Sequence, residues 1–253
     1  MKISIITVSL NARQHIEQTI RSVLEQQYHD LQYVIIDGGS DDGTTEIIQR
    51  YADRLTGWIS EPDRGISDAM NKGIAMTDGD FLLFLHADDY LPDAHTLERA
   101  AAAIRSDAEI HFFDIFRQDG ERQTRATPRG WNWWLNLKTG IFHQGALCAR
   151  SLFERIGNFD TNLRVAMDYD FFLRAYRAGT HTQYHRLPLS VMRTTGISSR
   201  RDRASLRHRL NEEKSIHQTH CPGPWYRLFY SLYWILYPRY RLLRTSRPSQ
   251  ADG

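Results

Sequence analysis

Over the first hundred residues, short apolar runs alternate with helical patterns, and three of the runs lead directly into acids. The runs are ISIITV (3–8), QYVIID (32–37), GWIS (57–60) and DFLLFLHA (80–87). The first two are rich in β-branched residues, as strands buried on both faces require. Between them Ile16, Ile20, Val23, Leu24 and Gln27 follow helical spacing, and Asn11 with Gln14 is placed as a capping box. Further helices are predicted from Thr44 to Tyr51, from Ser67 to Met76 and from Pro92 to near Ser106. Such alternation demands an α/β fold with a mostly parallel central sheet flanked by helices. In these sheets ligands bind beyond the carboxyl ends of the strands. Asp37, then Glu61 with Asp63, then Asp88 with Asp89 all follow predicted strands, so three acidic strand ends should share one edge.

After Glu109 the pattern changes. EIHFFDIFR, Asp119-Gly120 and ERQTRAT read as a hairpin. GWNWWLNLKTG (130–140) is an aromatic segment, and ALCA (146–149) is a candidate strand. Asp168 to Ala178 has helical spacing and is closed by Gly179. Residues 1–200 read as one domain and 201–253 as a basic, aromatic, helical extension, whose SRPSQADG end is expected to be disordered. The net charge of +2 conceals this division. Residues 200–253 carry eleven Lys or Arg against four Asp or Glu, whereas residues 1–199 carry twenty-one against twenty-six. A basic extension suits a polyanionic partner, membrane surface or nucleic acid, or else a solvated face. Cys148 and Cys221 suit neither a disulfide framework nor a metal knuckle, which fits a reducing compartment. The opening MKISIITVSLN lacks the order of a secretory signal and reads as a buried strand.

The turn-forming segment from Asp37 to Thr44 fails as a calcium loop. Asp42 stands where glycine is needed, and Ile48 where a bidentate glutamate is needed. No glycine-rich phosphate loop follows the first strand, which argues against a dinucleotide fold. A carboxylate at the second strand's end can accept hydrogen bonds from a base edge, while Asp41 or Asp42 suits the N-cap of the next helix.

The segment SEPDRGISDAMNKGIAMTDGDFLLFLHADD, together with TVSLN (7–11) and IDGGSDDGT (36–44), resembles the family 2 glycosyltransferases of the GT-A fold. The similarity is greatest to bacterial exopolysaccharide and O-antigen enzymes of the colanic-acid type, which share EPD-x-G, DAMNKGI, an HQ pair and a later DYD. The resemblance implies inverting, metal-dependent hexosyl transfer from a nucleotide sugar, by family habit a UDP-sugar. The acceptor it implies is a hydroxyl of a lipid-linked bacterial surface polysaccharide. It places Mg²⁺ or Mn²⁺ on Asp88, within His86-Ala87-Asp88-Asp89, with Ala87 and Asp88 against the donor. Val8, Leu10 and Asn11 match the segment beside the nucleobase, and Leu10 replaces a frequent Tyr, which weakens the case for aromatic stacking. Asp37 and Gly38 match the base-binding position, and Asp63, Arg64 and Asn71 the nucleoside-lining segment. His86 departs from the usual acid or Asn and either supports a ligand or packs, while Asp89 either joins the metal or caps the next helix.

NFDTNLRVAMDYDFFLRAYRAG resembles the family's second carboxylate block, with Met167 where Glu is common. Asp168 matches the general base, and Asp170 is expected to pair with Arg174 at i+4. His143 and Gln144 match the HQ pair, near the acceptor or the donor sugar. Trp131, like Trp133 and Trp134, offers a sugar-stacking face or fills the core. In TTGISSRR, Arg200 or Arg201 is placed to reach the diphosphate.

In the extension, PWYRLFYSLYWILYPRYRLLR is too short and interrupted to span a bilayer. Trp225, Leu228, Phe229, Leu232, Ile235 and Leu236 share one helical face, and Tyr226, Tyr230, Tyr233 and Tyr237 form a neighbouring stripe. The pattern suits peripheral contact at the inner face of the cytoplasmic membrane, and equally the protein's own core or a second subunit. No nucleic-acid partner is expected. Two rivals stand beside sugar transfer. Nucleotidyl transfer would need a glycine-rich basic loop that TVSLNARQ lacks. A GT-A-fold nucleotide-binding module without turnover, acting as a membrane-associated partner, is kept open by Met167 and His86.

Overall fold

In the computed structural model, which describes residues 1–194 and 202–245, the four apolar runs become parallel strands separated by helices. The order is β1 (Ile3–Ser9), α1 (Ile16–Leu24), β2 (Leu31–Asp37), α2 (Thr44–Gln49), β3 (Gly57–Ser60), α3 (Ile66–Ala75), β4 (Phe81–Phe84) and α4 (Thr96–Ala103). β1 is central, pairing along its whole length with β2 and, from Ile3 to Ile6, with β4. β3 pairs with β2 up to Asp37↔Ser60. All seven β1 residues are buried. Ile6 and Val8 enter one core with Val34, Ile36 and Met70, while Ile3 and Ile5 enter the other with Ile35, Ile16 and Ile20. Helices on both sheet faces therefore explain a strand without polar alternation.

The predicted capping box does not form. α1 starts after His15 without a side-chain cap. Asn11 instead takes a left-handed backbone, φ 50°, and its side-chain oxygen accepts from the Asp41 amide at 3.1 Å. Asn tolerates that conformation, and here it ties two strand-end loops together. Neither Asp41 nor Asp42 caps α2, because Gly43 takes that position with φ 98°. Asp42 accepts from the Thr44 amide at 3.0 Å, an Asx turn just ahead of the helix.

α3 lies so close to β1 that a Cβ on Gly73 would come within 2.2 Å of Ile6 Cγ2. Gly73→Ala would gain about 1 kcal/mol of helix propensity but overpack the core by about 1–3 kcal/mol. We expect the clash to win and the thermal midpoint to fall. An unchanged midpoint would mean that α3 slides freely on the sheet.

The second half adds antiparallel strands. β5 (Ile110–Asp119) and β6 (Arg122–Ala126) form the predicted hairpin about Gly120, φ 58°. β7 (Ala146–Ala149) runs antiparallel between β4 and β5. α5 (Arg150–Ile156) and α6 (Met167–Arg177) follow, and β8 (Thr182–Arg193) pairs in parallel with β5. Neither α5 nor β8 is foreseen in the sequence. Pro188 and mixed polarity hide β8, whose pairing with β5 shifts register on both sides of Asp114. The sheet order is β3-β2-β1-β4-β7-β5-β6, with β8 against β5.

The extension forms α7 (Arg203–Thr219) and α8 (Pro224–Thr245), and both reach α6. The Glu212 carboxylate accepts from the amides of Arg164, Val165 and Ala166 at 2.8, 2.9 and 2.8 Å, immediately before α6. The tyrosine stripe is the inner face of α8. Buried Tyr230 accepts from the Arg177 guanidinium at 2.9 Å and donates to the Asn136 carbonyl at 3.0 Å. The SRPSQADG end and most of TTGISSRR, including Arg200 and Arg201, lie outside the described residues.

Candidate active site

Asp37 ends β2 beside Ser9, the last residue of β1. Its carboxylate is fully buried. Oδ1 accepts from the hydroxyls of Ser9 (2.8 Å) and Ser40 (2.6 Å). Oδ2 accepts from the amides of Gly39 (3.1 Å) and Ser40 (2.9 Å) and from the Ser60 hydroxyl (2.8 Å). Burial alone would raise its pKa, but the hydrogen bonds from Ser40, Ser60 and Ser9 outweigh it and hold the carboxyl below its usual range. A carboxylate offers about four lone-pair sites, and these five donors use them. These donors let Asp37 shape the loop after β2 from within.

Asp63 stands at the same edge, and among the described residues only one of its carboxylate oxygens accepts a hydrogen bond. Its Oδ1 accepts from the Gly65 amide at 2.7 Å, while Oδ2 lies over Gly38, where a Cβ would sit only 2.6 Å away. That same Cβ would be 3.5 Å from Leu10 Cδ1, and Leu10 is 60% exposed. A bare glycine thus brings an apolar side chain and a carboxylate together as a shelf. Val8 and Ala87 are both buried, and the Ala87 amide donates to the Val8 carbonyl at 3.1 Å. Arg64 is exposed and paired with Asp68 at 2.9 Å. Asn71 donates to the Phe159 carbonyl (2.9 Å) and accepts from its amide (3.1 Å), so it fastens the loop before α6 to α3.

The loop after β4 (Phe81–Phe84) carries Ala87, Asp88 and Asp89. The Asp88 carboxylate is half-buried and accepts no hydrogen bond among the described residues, while its main-chain carbonyl accepts from Arg193. Asp89 does not cap a helix. It is buried, accepting from Gln144 Nε2 at 2.9 Å and from the Arg193 amide at 3.3 Å. Burial first, then the Asp88 charge, pushes the Asp89 carboxyl well above its usual range against those two bonds. Gln144 of the HQ pair is thereby a lock on the β4 loop.

His143 joins this loop to α6. Its ring meets His86 edge-on with centroids 4.5 Å apart, and its Nδ1 lies 3.6 Å from Asp168 Oδ2. His86 Nδ1 and His143 Nε2 are buried without a hydrogen-bond partner among the described residues. Burial, with His143 beside it, holds His86 well below the ordinary histidine range. Asp168 lies in the first turn of α6, and Met167, the first residue of that helix, is buried in the core. Asp170 pairs with Arg174 at 2.8 Å as expected, and also with His220 at 2.7 Å. Half-buried Trp131 packs between Phe112 and Tyr176, at 5.3 and 5.7 Å.

Two site residues carry no sequence signal. Arg193, at the end of the unforeseen β8, reaches the Asp88 carbonyl and Gln18, with its guanidinium 4.8 Å over the Tyr90 ring. Glu213 comes from α7, with its Oε2 buried and unpartnered among the described residues. Burial foremost, and the nearby Asp168 charge, raise it to about 7 against the pull of Arg241 and Arg209. No three His, Cys, Asp or Glu side chains among the described residues converge into a metal cage. One unpaired carboxylate, Asp88, still suits Mg²⁺ or Mn²⁺, which keep waters and take substrate phosphates as further ligands.

The profile described as "Glycosyl transferase family 2" matches residues 4–167. The chain belongs to that family. This family 2 glycosyltransferase is 30% identical over 226 residues to an "Uncharacterized glycosyltransferase" of Mycobacterium tuberculosis strain H37Rv, covering 87% of this chain and 86% of that protein. It is 33% identical over 183 residues to the "PGL/p-HBAD biosynthesis glycosyltransferase" of Mycobacterium bovis strain BCG, covering 68% and 69%. Among solved structures, the mannosyltransferase PcManGT from Pyrobaculum calidifontis, in complex with GDP-Man and Mn²⁺, matches with a TM-score of 0.68 at 20% identity over 97% of this chain and 73% of that one. S. aureus TarS 1–349 in complex with UDP-GlcNAc matches with a TM-score of 0.64 at 18% identity over 97% and 79%. These likenesses establish a GT-A-type α/β fold for the glycosyltransferase.

Proposed function

We propose that the protein is an inverting, metal-dependent glycosyltransferase. It moves a hexosyl group from a nucleotide sugar, a UDP-sugar by preference, to a hydroxyl of a lipid-linked bacterial surface polysaccharide at the inner face of the cytoplasmic membrane. The observation that carries the reading is that His86, two residues before Asp88 in the loop beyond the carboxyl end of β4, contacts His143, which in turn reaches Asp168. The nucleotide sugars held by TarS and PcManGT support the donor class. In this reading the base rests on Leu10 and meets Asp63, with Asp37 keeping the loop in shape. A divalent cation on Asp88 would neutralise the diphosphate as it leaves. Asp168 accepts the acceptor hydroxyl's proton while that oxygen bonds to the anomeric carbon. The bond from that carbon to the diphosphate oxygen breaks on the opposite face, and its electron pair leaves with the nucleotide. Arg193, held beside Asp88, is placed to add positive charge near the same diphosphate.

The rival reading, a nucleotide-binding module without turnover, leans on Met167. Because Met167 is a core residue, its presence alters packing and leaves the proposed base, Asp168, in place. The deciding assay is release of nucleoside diphosphate from a panel of nucleotide sugars with Mn²⁺ or Mg²⁺. Asp88→Ala is expected to lose at least about 100-fold in turnover, comparable to losing one electrostatic stabiliser of the leaving charge. Chelation of the wild type should bring it to the same floor. Turnover that survives both changes would sink the metal role.

A further inference from the structure

The apolar stripe of α8 does not pack against the protein. Trp225 is 83% exposed, Leu236 66%, and Leu228, Leu232 and Ile235 are each more than half exposed. At the helical repeat these positions fall within an arc about 120° wide, while Tyr230, Tyr233 and Trp234 turn toward the body. The patch continues beyond the helix. The Trp133 indole N–H donates to the Tyr226 hydroxyl at 3.1 Å, and its ring stands 5.9 Å from Phe229 and 5.6 Å from Trp134. Trp133 and Trp134 are themselves exposed. A contiguous apolar surface of this kind marks an interaction site.

Charge indicates what covers it. Residues 224–245 hold four arginines and no Asp or Glu, and Arg227 and Arg239 are exposed. A second copy meeting this face about a two-fold axis would oppose arginine to arginine. An anionic leaflet satisfies both features, taking the apolar side chains at the acyl boundary, the indoles at headgroup level and exposed Arg239, which falls in the same arc, against lipid phosphates. At about 33 Å the helix is long enough to lie along a bilayer surface, and no described helix is long and apolar enough to cross one. We propose that the outer face of α8, continued by Trp133 and Trp134, docks on an anionic lipid bilayer.

The inner face gives the docking a use. Trp234 Nε1 donates to His217 Nδ1 at 3.0 Å, and His217 Nε2 meets the Tyr169 hydroxyl at 2.7 Å, one residue from Asp168. A docked α8 therefore holds the helix of the proposed base against the surface where a lipid-linked hydroxyl would be presented. This consequence rests on the acceptor reading above, whereas the docking does not.

Vesicle flotation of the full chain tests it. Binding to phosphatidylglycerol-rich vesicles should exceed binding to pure phosphatidylcholine at least tenfold and fall with salt. The triple variant Leu228→Glu, Leu232→Glu, Leu236→Glu should lose at least tenfold in binding, with unchanged circular dichroism and unchanged nucleoside diphosphate release from donor alone. Trp134→Ser with Trp225→Ser should weaken binding without adding charge. Equal flotation of wild type and triple variant would overturn the proposal. So would a light-scattering dimer that the triple variant dissolves while wild type ignores vesicles, which would assign the face to a second copy. Failure of donor turnover with flotation intact would strike the transferase reading and leave the docking standing.

Discussion

Asp168→Asn is expected to lower the rate of sugar transfer by about 10²–10⁴-fold, the usual contribution of a positioned general base, while donor affinity stays near wild type. The substitution preserves shape. Asparagine retains an oxygen that can take the Tyr169 amide, which donates to Asp168 Oδ1 at 2.7 Å, but it cannot accept a proton from the acceptor. His143, 3.6 Å from Asp168 Oδ2, would keep its contact with His86. The measurements are single-turnover transfer rates and calorimetric binding of the nucleotide sugar with Mn²⁺. A transfer rate within a few-fold of wild type would remove Asp168 as the base. Glu213 would then be the carboxylate to substitute next, because its raised pKa of about 7 already suits proton exchange near neutrality.

Mild acid is expected to destabilise the protein through two buried histidines, His217 on α7 and His111 on β5. Burial, with Arg177 nearby, lowers His217 to about 3, and burial with His185 nearby lowers His111 to about 4. Both values lie below the unfolded value near 6.5. The unfolded chain therefore binds more protons below pH 6.5, and the stability present above that pH is lost as pH falls toward 4 and 3. Each histidine accounts for about 1.4 kcal/mol per pH unit within its window. Glu213 acts the other way. Raised from 4.5 to about 7, it loses stability as pH rises through that interval, and so offsets about one histidine between pH 4.5 and 6.5. The net slope for these groups is a loss of about 1.4 kcal/mol per unit of acidification, a large part of a typical domain's 5–15 kcal/mol. Urea midpoints at pH 6.5 and 4.5 read it directly. Glu213→Gln should steepen the decline by removing the offset. A flat pH dependence would show that His217 and His111 protonate freely in the folded state.

His217 has its place because Trp234 can only donate. Its Nδ1 must then accept, which in the neutral ring leaves the proton on Nε2 facing the Tyr169 hydroxyl. Charging the ring adds a second proton at Nδ1, where it opposes the Trp234 N–H. Glu212 holds the amides of residues 164–166 from the same helix, so α7 grips α6 at its start and along its side. None of this is legible in the sequence. LNEEKSIHQTH reads as a polar helix, because contacts made across 48 residues leave no local period.

Where sequence and structure part, the reasons are particular. β1, β2 and β4 are readable because strands buried on both faces must be apolar throughout, and that requirement is local. β8 is missed because it contains Pro188 and pairs irregularly with β5, and Arg193 is missed with it. Trp131 and Trp134 look alike in GWNWWLNLKTG, yet one lies between Phe112 and Tyr176 and the other is 58% exposed.

By itself, the sequence determined the parallel half of the sheet and the acids that end its strands, since apolar periodicity and strand boundaries are properties of contiguous residues. Which of those acids is presented was decided only in three dimensions. Asp37 is sequestered because Ser9, Ser40 and Ser60 approach it from three separate segments, whereas Asp63 leans over a glycine with one oxygen that accepts no hydrogen bond among the described residues. A carboxylate's availability is set by how many donors surround it, and those donors are assembled by the fold.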